Sequence, residues 1–293
     1  MPDSVEIRDV CARDGLQGEA PLTVAERVRL IDSILAAGVV RVEVAAFVSP
    51  KAVPAMAGAA EVVAAVGQRL GVVRAALVPN LRGAEMAIEA GVEELTVTIS
   101  ASAVYNERNV HMSIDESIGQ IGLICAAGGV PPVDAVVSCA FGAPYEGDIE
   151  PAIVAALCAR LRDVGVCAVT LADTTGMCTP RRISDVLEVT GCDVGLHLHE
   201  TRGTGLVNAY SALQAGVRRF DCSVGGLGGS PYAAGAAGNV ATEELVALLD
   251  DLGVHTGIDI NALVDAALFA ETLVGRPVPS RVAHAGPRSR RFE

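Results

Sequence analysis

The sequence predicts an α/β protein folded as a (β/α)8 TIM barrel with a small C-terminal helical cap. Eight short apolar runs, rich in β-branched residues, are spaced along the 293-residue chain with helix-like stretches between them. Strands that alternate with helices imply parallel crossovers. A phrase also recurs, as Ala37-Gly38-Val39, Ala90-Gly91-Val92, Val164-Gly165-Val166 and Ala215-Gly216-Val217. Its glycine suits a left-handed helix C-cap and its valine opens the next strand. Eight such units fill one barrel of ~250 residues.

The first run, Val5–Val10, leads into Arg13-Asp14-Gly15-Leu16-Gln17. An open doubly wound sheet, the competing architecture, usually has a glycine-rich phosphate turn at this point, and this segment matches it poorly. An amphipathic Thr23–Ala37 then precedes the run Val40–Phe47, and Met56–Arg69 precedes Val72–Val78. Leu95–Ala101 is followed by a helix at Ile114–Ala127, then by Val133–Phe141 and a helix at Pro151–Asp163. Cys167–Asp173, Val194–His199 and Phe220–Val224 complete the strands, with Thr204–Ala215 helical between the last two. The expected division is a catalytic barrel over 1–252, a helical extension packed on it over 253–286, and a flexible tail over 287–293. The extension includes a helix near Asn261–Leu273.

The formal net charge of −13 argues against a nucleic-acid surface, though a phosphate-bearing ligand needs only a local patch. No apolar run approaches the ~20 residues of a membrane helix, so no membrane partner is expected. The N-terminus lacks a basic start followed by an apolar stretch, and no signal peptide is expected. Eight cysteines are scattered without a CxxC pair and fall mostly in apolar patterns. They read as reduced core residues in a cytoplasmic protein.

His197 and His199 are two apart in an apolar run, so on a strand they face the same way and form two corners of a metal site. Catalytic groups of a barrel come from the C-terminal ends of its strands. There the sequence offers Arg13 and Asp14 after strand one, Glu43 on strand two, Asp173 at the end of strand six, and the two histidines on strand seven. A glycine-rich loop, Gly225 to Tyr232, follows strand eight and leads to Gly238-Asn239. Two imidazoles, a carboxylate and an amide oxygen suit Mg²⁺ or Mn²⁺ with open positions for substrate oxygens. Singly, most of these residues have plainer readings. Asp14 caps a turn, Asp173 makes an Asx bond, Asn239 caps a helix starting near Ala241, and Arg13 pairs with Glu43 or Asp173. Their joint placement favours a site.

Several stretches resemble the 3-hydroxy-3-methylglutaryl-CoA lyase family: Glu6–Glu19, Val42–Lys51, Leu171–Gly176, His197–Thr201, and Gly226–Ala233 with Gly238-Asn239. The likeness runs in register from about residue 5 to residue 275. The loop with Pro231-Tyr232 separates this branch from isopropylmalate and homocitrate synthases, which share the barrel and the HxH. The resemblance implies Mg²⁺ or Mn²⁺ on Asp14, His197, His199 and Asn239, with Glu43 supporting the site. It implies retro-Claisen cleavage of a 3-hydroxy-3-carboxymethyl acyl-CoA into acetyl-CoA and a keto acid such as acetoacetate. An acyl-CoA partner and a homodimer follow from it as well. In that chemistry Arg13 stabilises developing oxygen charge, and Asp173 or a ligand histidine accepts a proton.

This chain departs from the family at Ser230, where the family has a cysteine that acts in proton transfer. A hydroxyl is far less acidic than a thiol of pKa ~8.5. Ala20, Ala52, Ala103 and Glu107 replace an expected lysine, tryptophan, glutamate and basic residue. Two other readings therefore stay open. One is an altered acyl-CoA or keto-acid substrate, including an aldolase-type condensing direction. The other is a barrel that binds metal and acyl-CoA without turnover.

Overall fold

The computed structural model describes residues 2–229 and 238–291. Eight parallel strands close a barrel in chain order, with β1 paired to both β2 and β8. They are β1 Glu6–Asp9, β2 Arg41–Ala46, β3 Val73–Leu77 and β4 Glu94–Ser100. The second half comprises β5 Val133–Ser138, β6 Ala168–Ala172, β7 Gly195–His197 and β8 Arg219–Cys222. All eight lie at the apolar runs, but most are shorter because the chain leaves the sheet where the site begins. After β5, Cys139 turns with φ +56°, and His199, two residues beyond β7, bridges to Asn239 instead of extending the strand.

The helices are α1 Val24–Ala36, α2 Ala59–Val66, α3 Leu81–Ala90, α4 Ala103–Val110, α5 Ile114–Cys125 and α6 Pro151–Asp163. They continue with α7 Pro180–Thr190, α8 Gly205–Ala215, α9 Thr242–Asp251, α10 Ile260–Val274 and α11 Arg281–Ala285. Capping boxes at Thr23/Glu26 and Ser113/Glu116 start α1 and α5 by satisfying their first N–H groups. The stretch expected as one helix, Met56–Arg69, is broken. A 3-10 turn at Pro54–Met56 precedes α2, which is bracketed by Gly58 at φ +73° and Gly67 at φ +66°. The recurrent glycines behave as the phrase predicts; Gly91 ends α3 at φ +79° and Gly216 ends α8 at φ +101°.

Leu30, Ile31 and Ile34 of α1 pack with Val42 and Val44 of β2 in the main apolar cluster. α10 lies against α1, α9 and the glycine turn after β8. Charge is buried in the barrel as well, at Arg8, Glu94, Asp134 and Asp221. Among the described residues no helix is long and apolar enough to cross a membrane.

Candidate active site and metal centre

β1 runs into a π-helical turn, Cys11–Gly15, that carries Arg13 and Asp14. Asp9 pins this turn to the segment that follows the neighbouring strand β8. Its carboxylate accepts from Cys11 N at 2.9 Å, Val224 N at 2.9 Å and Thr242 Oγ1 at 2.6 Å. A Cβ on Gly15 would lie 2.8 Å from Ser223 Oγ, so the turn packs this closely only with glycine. Arg13 then donates from Nε to Glu43 Oε2 at 2.5 Å and from Nη1 to Asp14 Oδ1 at 2.7 Å. Of the partners the sequence allowed for Arg13, Glu43 is the one it has.

Asp14, His197 and His199 bring ligand atoms within 4.8 Å of one another. The two Nε2 atoms are 3.3 Å apart, and His197 Nε2 is 4.0 Å from Asp14 Oδ2. His197 Nδ1 faces Asp221 Oδ2 at 3.3 Å, which places a ring proton on Nδ1 and turns Nε2 toward His199 and Asp14. Burial, then the neighbouring His197, hold His199 down to about 3, so it is neutral, whereas at His197 burial is outweighed by Asp221 and Asp14, which raise its pKa. Asp14 is ionised: burial raises its pKa, but Arg13 and then His197 outweigh it and bring it to about 2.

Asn239 donates its Nδ2 to Asp14 Oδ2 at 2.8 Å and to Leu227 O at 2.9 Å. Its Oδ1 is buried without a partner. It does not cap the next helix, whose N-cap is Ala241. An orphaned amide oxygen is costly in a protein interior, and here it stands with two imidazole Nε2 atoms that face each other and an ionised carboxylate. A divalent cation would satisfy all four, and a mixed nitrogen and oxygen set suits a hard or borderline ion.

Asp173 sits one residue past β6. Its Oδ1 accepts from Cys178 N at 2.9 Å, which is the turn role expected of it. Its Oδ2 is buried without a partner, and burial pushes the carboxyl up to about 7. Its own N–H donates to His197 O at 2.8 Å, tying it to β7. Ser230 lies outside the described residues. Ala20, Ala52, Ala103 and Glu107 are all exposed.

Two residues were missed in the sequence, Asp221 on β8 and Arg8 on β1. The available signal was a charge flanked by apolar strand neighbours, as in Phe220-Asp221-Cys222.

A family model described as HMGL-like matches residues 4–269. The chain is 43% identical to the 3-hydroxy-3-isohexenylglutaryl-CoA/hydroxymethylglutaryl-CoA lyase of Pseudomonas aeruginosa, over 97% of this chain and 98% of that protein. It is 39% identical to the (R)-citramalyl-CoA lyase of Chloroflexus aurantiacus, over 97% of this chain and 96% of that one. Among solved structures, an HMG-CoA lyase from Acinetobacter baumannii in complex with coenzyme A and 3-methylmalate superposes with a TM-score of 0.94. That chain is 36% identical, with 99% of this chain and 98% of that chain covered.

Proposed function

This chain belongs to the HMGL-like family, and from that premise we propose that it cleaves 3-hydroxy-3-methylglutaryl-CoA to acetyl-CoA and acetoacetate. It is a carbon–carbon lyase. The observation that carries the reading is the convergence of Asp14, His197 and His199 at the barrel end where Asp173 keeps an unpartnered oxygen.

We assign Asp14, His197, His199 and Asn239 to a divalent cation, Mg²⁺ or Mn²⁺. When bound, such an ion supplies Lewis acidity toward the substrate's hydroxyl and carboxylate oxygens. Asp173 accepts the tertiary hydroxyl proton at Oδ2, a task suited to a carboxyl raised to about 7. As that proton leaves, the C2–C3 bond breaks. Its electron pair passes to the thioester as an enolate, and C3 becomes the ketone carbon. Arg13, held by Glu43 and Asp14, offsets the developing oxygen charge. The enolate carbon then takes a proton, and Ser230 offers a weaker acid for this than the cysteine of the family.

The test is acetyl-CoA release from 3-hydroxy-3-methylglutaryl-CoA with Mg²⁺, on wild type and Ser230→Cys in parallel. Turnover by the wild type, faster in the cysteine variant, is the expected result. Silence from both would sink the substrate assignment. A longer 3-substituent is the second reading. Exposed Ala52 stands where the family has tryptophan, and the Pseudomonas relative is named for an isohexenyl substrate. A higher kcat/KM on the isohexenyl thioester than on the methyl one decides for it.

A further inference from the structure

Arg8 is among the buried charges that the reaction above does not use. Inward positions of a (β/α)8 barrel are mostly filled by branched apolar side chains, and a guanidinium there is costly unless fully paired. Arg8 is 4% exposed and fully paired. Its Nε donates to Asp221 Oδ1 at 2.9 Å and its Nη2 to Asp221 Oδ2 at 2.7 Å. Nη2 also lies 2.8 Å from Asp134 Oδ2, while Nη1 donates to Glu94 Oε1 at 3.1 Å and Thr96 Oγ1 at 3.4 Å.

Asp221 is thus held by both oxygens in a two-pronged fork, a geometry that fixes orientation as well as distance. Its Oδ2 turns to His197 Nδ1. Barrel closure sets this order: Arg8 on β1 is the register partner of Asp221 on β8, and Asp221 is the register partner of His197 on β7. One row of three strands therefore runs from a fixed cation through a fixed carboxylate to an imidazole of the site.

We propose that Arg8 is a positioning residue for the metal centre. It locks the Asp221 carboxylate, which keeps the His197 proton on Nδ1 and its Nε2 lone pair aimed at the ion. This inference rests on the metal-site reading above. Partners of a ligand's second nitrogen fix its tautomer and ring orientation, and losing them typically weakens metal binding about 10- to 100-fold.

The competing account is that Arg8 only fills the barrel and neutralises its carboxylates. Metal affinity of the folded protein separates the two. Metal-stripped protein is titrated with MnCl₂, free Mn²⁺ being read by its EPR signal. The wild type is compared with Arg8→Lys, Asp221→Asn and Arg74→Lys. Arg74 is a matched control, a buried arginine on β3 paired with Glu93 and with no bond to the site.

Arg8→Lys keeps the charge and loses the fork. It and Asp221→Asn are expected to raise the Mn²⁺ Kd about 10- to 100-fold, with Arg74→Lys unchanged. A Kd within twofold of wild type in Arg8→Lys overturns the proposal. If that variant does not melt cooperatively, Arg8→Met/Asp134→Asn, which removes opposite charges together, carries the same expectation and the same threshold. A wild type that retains no Mn²⁺ overturns the metal-site reading itself, and this inference with it.

Discussion

Arg13 meets Glu43 and Asp14 in one buried corner, so its substitution has two consequences that separate experimentally. Arg13→Lys keeps the charge but not the planar fork, and Glu43 is left imperfectly paired in the interior. The expected outcome is a kcat about 100-fold lower, as for loss of a charge-stabilising donor, together with a lower melting temperature. Asp173→Asn preserves shape and removes the proton acceptor. Its kcat should fall about 10²- to 10⁴-fold while its Mn²⁺ Kd, measured separately, stays near wild type. A loss of metal binding in that variant would move Asp173 from acceptor to ligand. At this scale the sequence named each of these groups but could not pair them. Arg13 was open between Glu43 and Asp173, and His197 gave no sign of its Asp221 partner on the adjacent strand.

Gly91 isolates the conformational part of the recurrent helix-ending phrase. It has φ +79°, and a Cβ there would meet nothing within 4 Å. Gly91→Ala should therefore cost about 1–2 kcal/mol from the left-handed backbone alone. Gly18→Ala, with the same open surroundings and no positive φ, should be near neutral by urea denaturation.

The glycine turn after β8 depends instead on buried acids. Glu243 accepts from Gly225 N at 3.1 Å, and Asp9 from Val224 N at 2.9 Å. Burial pushes Glu243 from an ordinary 4.5 up to about 7, and Asp9 from 3.8 up to about 6. A raised carboxyl favours the folded state fully below its unfolded value, and that contribution is lost as pH rises through the folded value. Urea midpoints should fall between about pH 4 and pH 7 on this account, and Glu243→Gln should flatten the upper part of the decline. An unchanged profile in that variant would remove Glu243 as its cause. Element positions were legible because strand and helix periods differ. Element ends were less so, since glycines at 58 and 67 cut a helix that hydrophobic periodicity joins.

Across the whole molecule, closure of the barrel brings Arg8 to Asp221, 213 residues away in the chain, and Asp14 to Asn239, 225 residues away. The barrel itself could be read from eight repeated units, and the upper rim of the site from where strands end. The charged row beneath it could not, because only strand register places β1, β8 and β7 side by side at that level. An ion that binds the folded chain alone stabilises all of it. At a hundred times its Kd, Mn²⁺ should add about 2.7 kcal/mol, a rise in melting temperature of roughly 5 °C. His199→Ala should abolish that rise.

We propose that this rim cleaves a carbon–carbon bond only with its ion in place. The most direct test is the product balance from 3-hydroxy-3-methylglutaryl-CoA, measured on metal-stripped protein before and after Mn²⁺ is restored. Acetyl-CoA and acetoacetate are expected in equal amounts with the ion and neither without it. Free coenzyme A in place of acetyl-CoA, or cleavage undiminished in a chelator, would contradict the proposal.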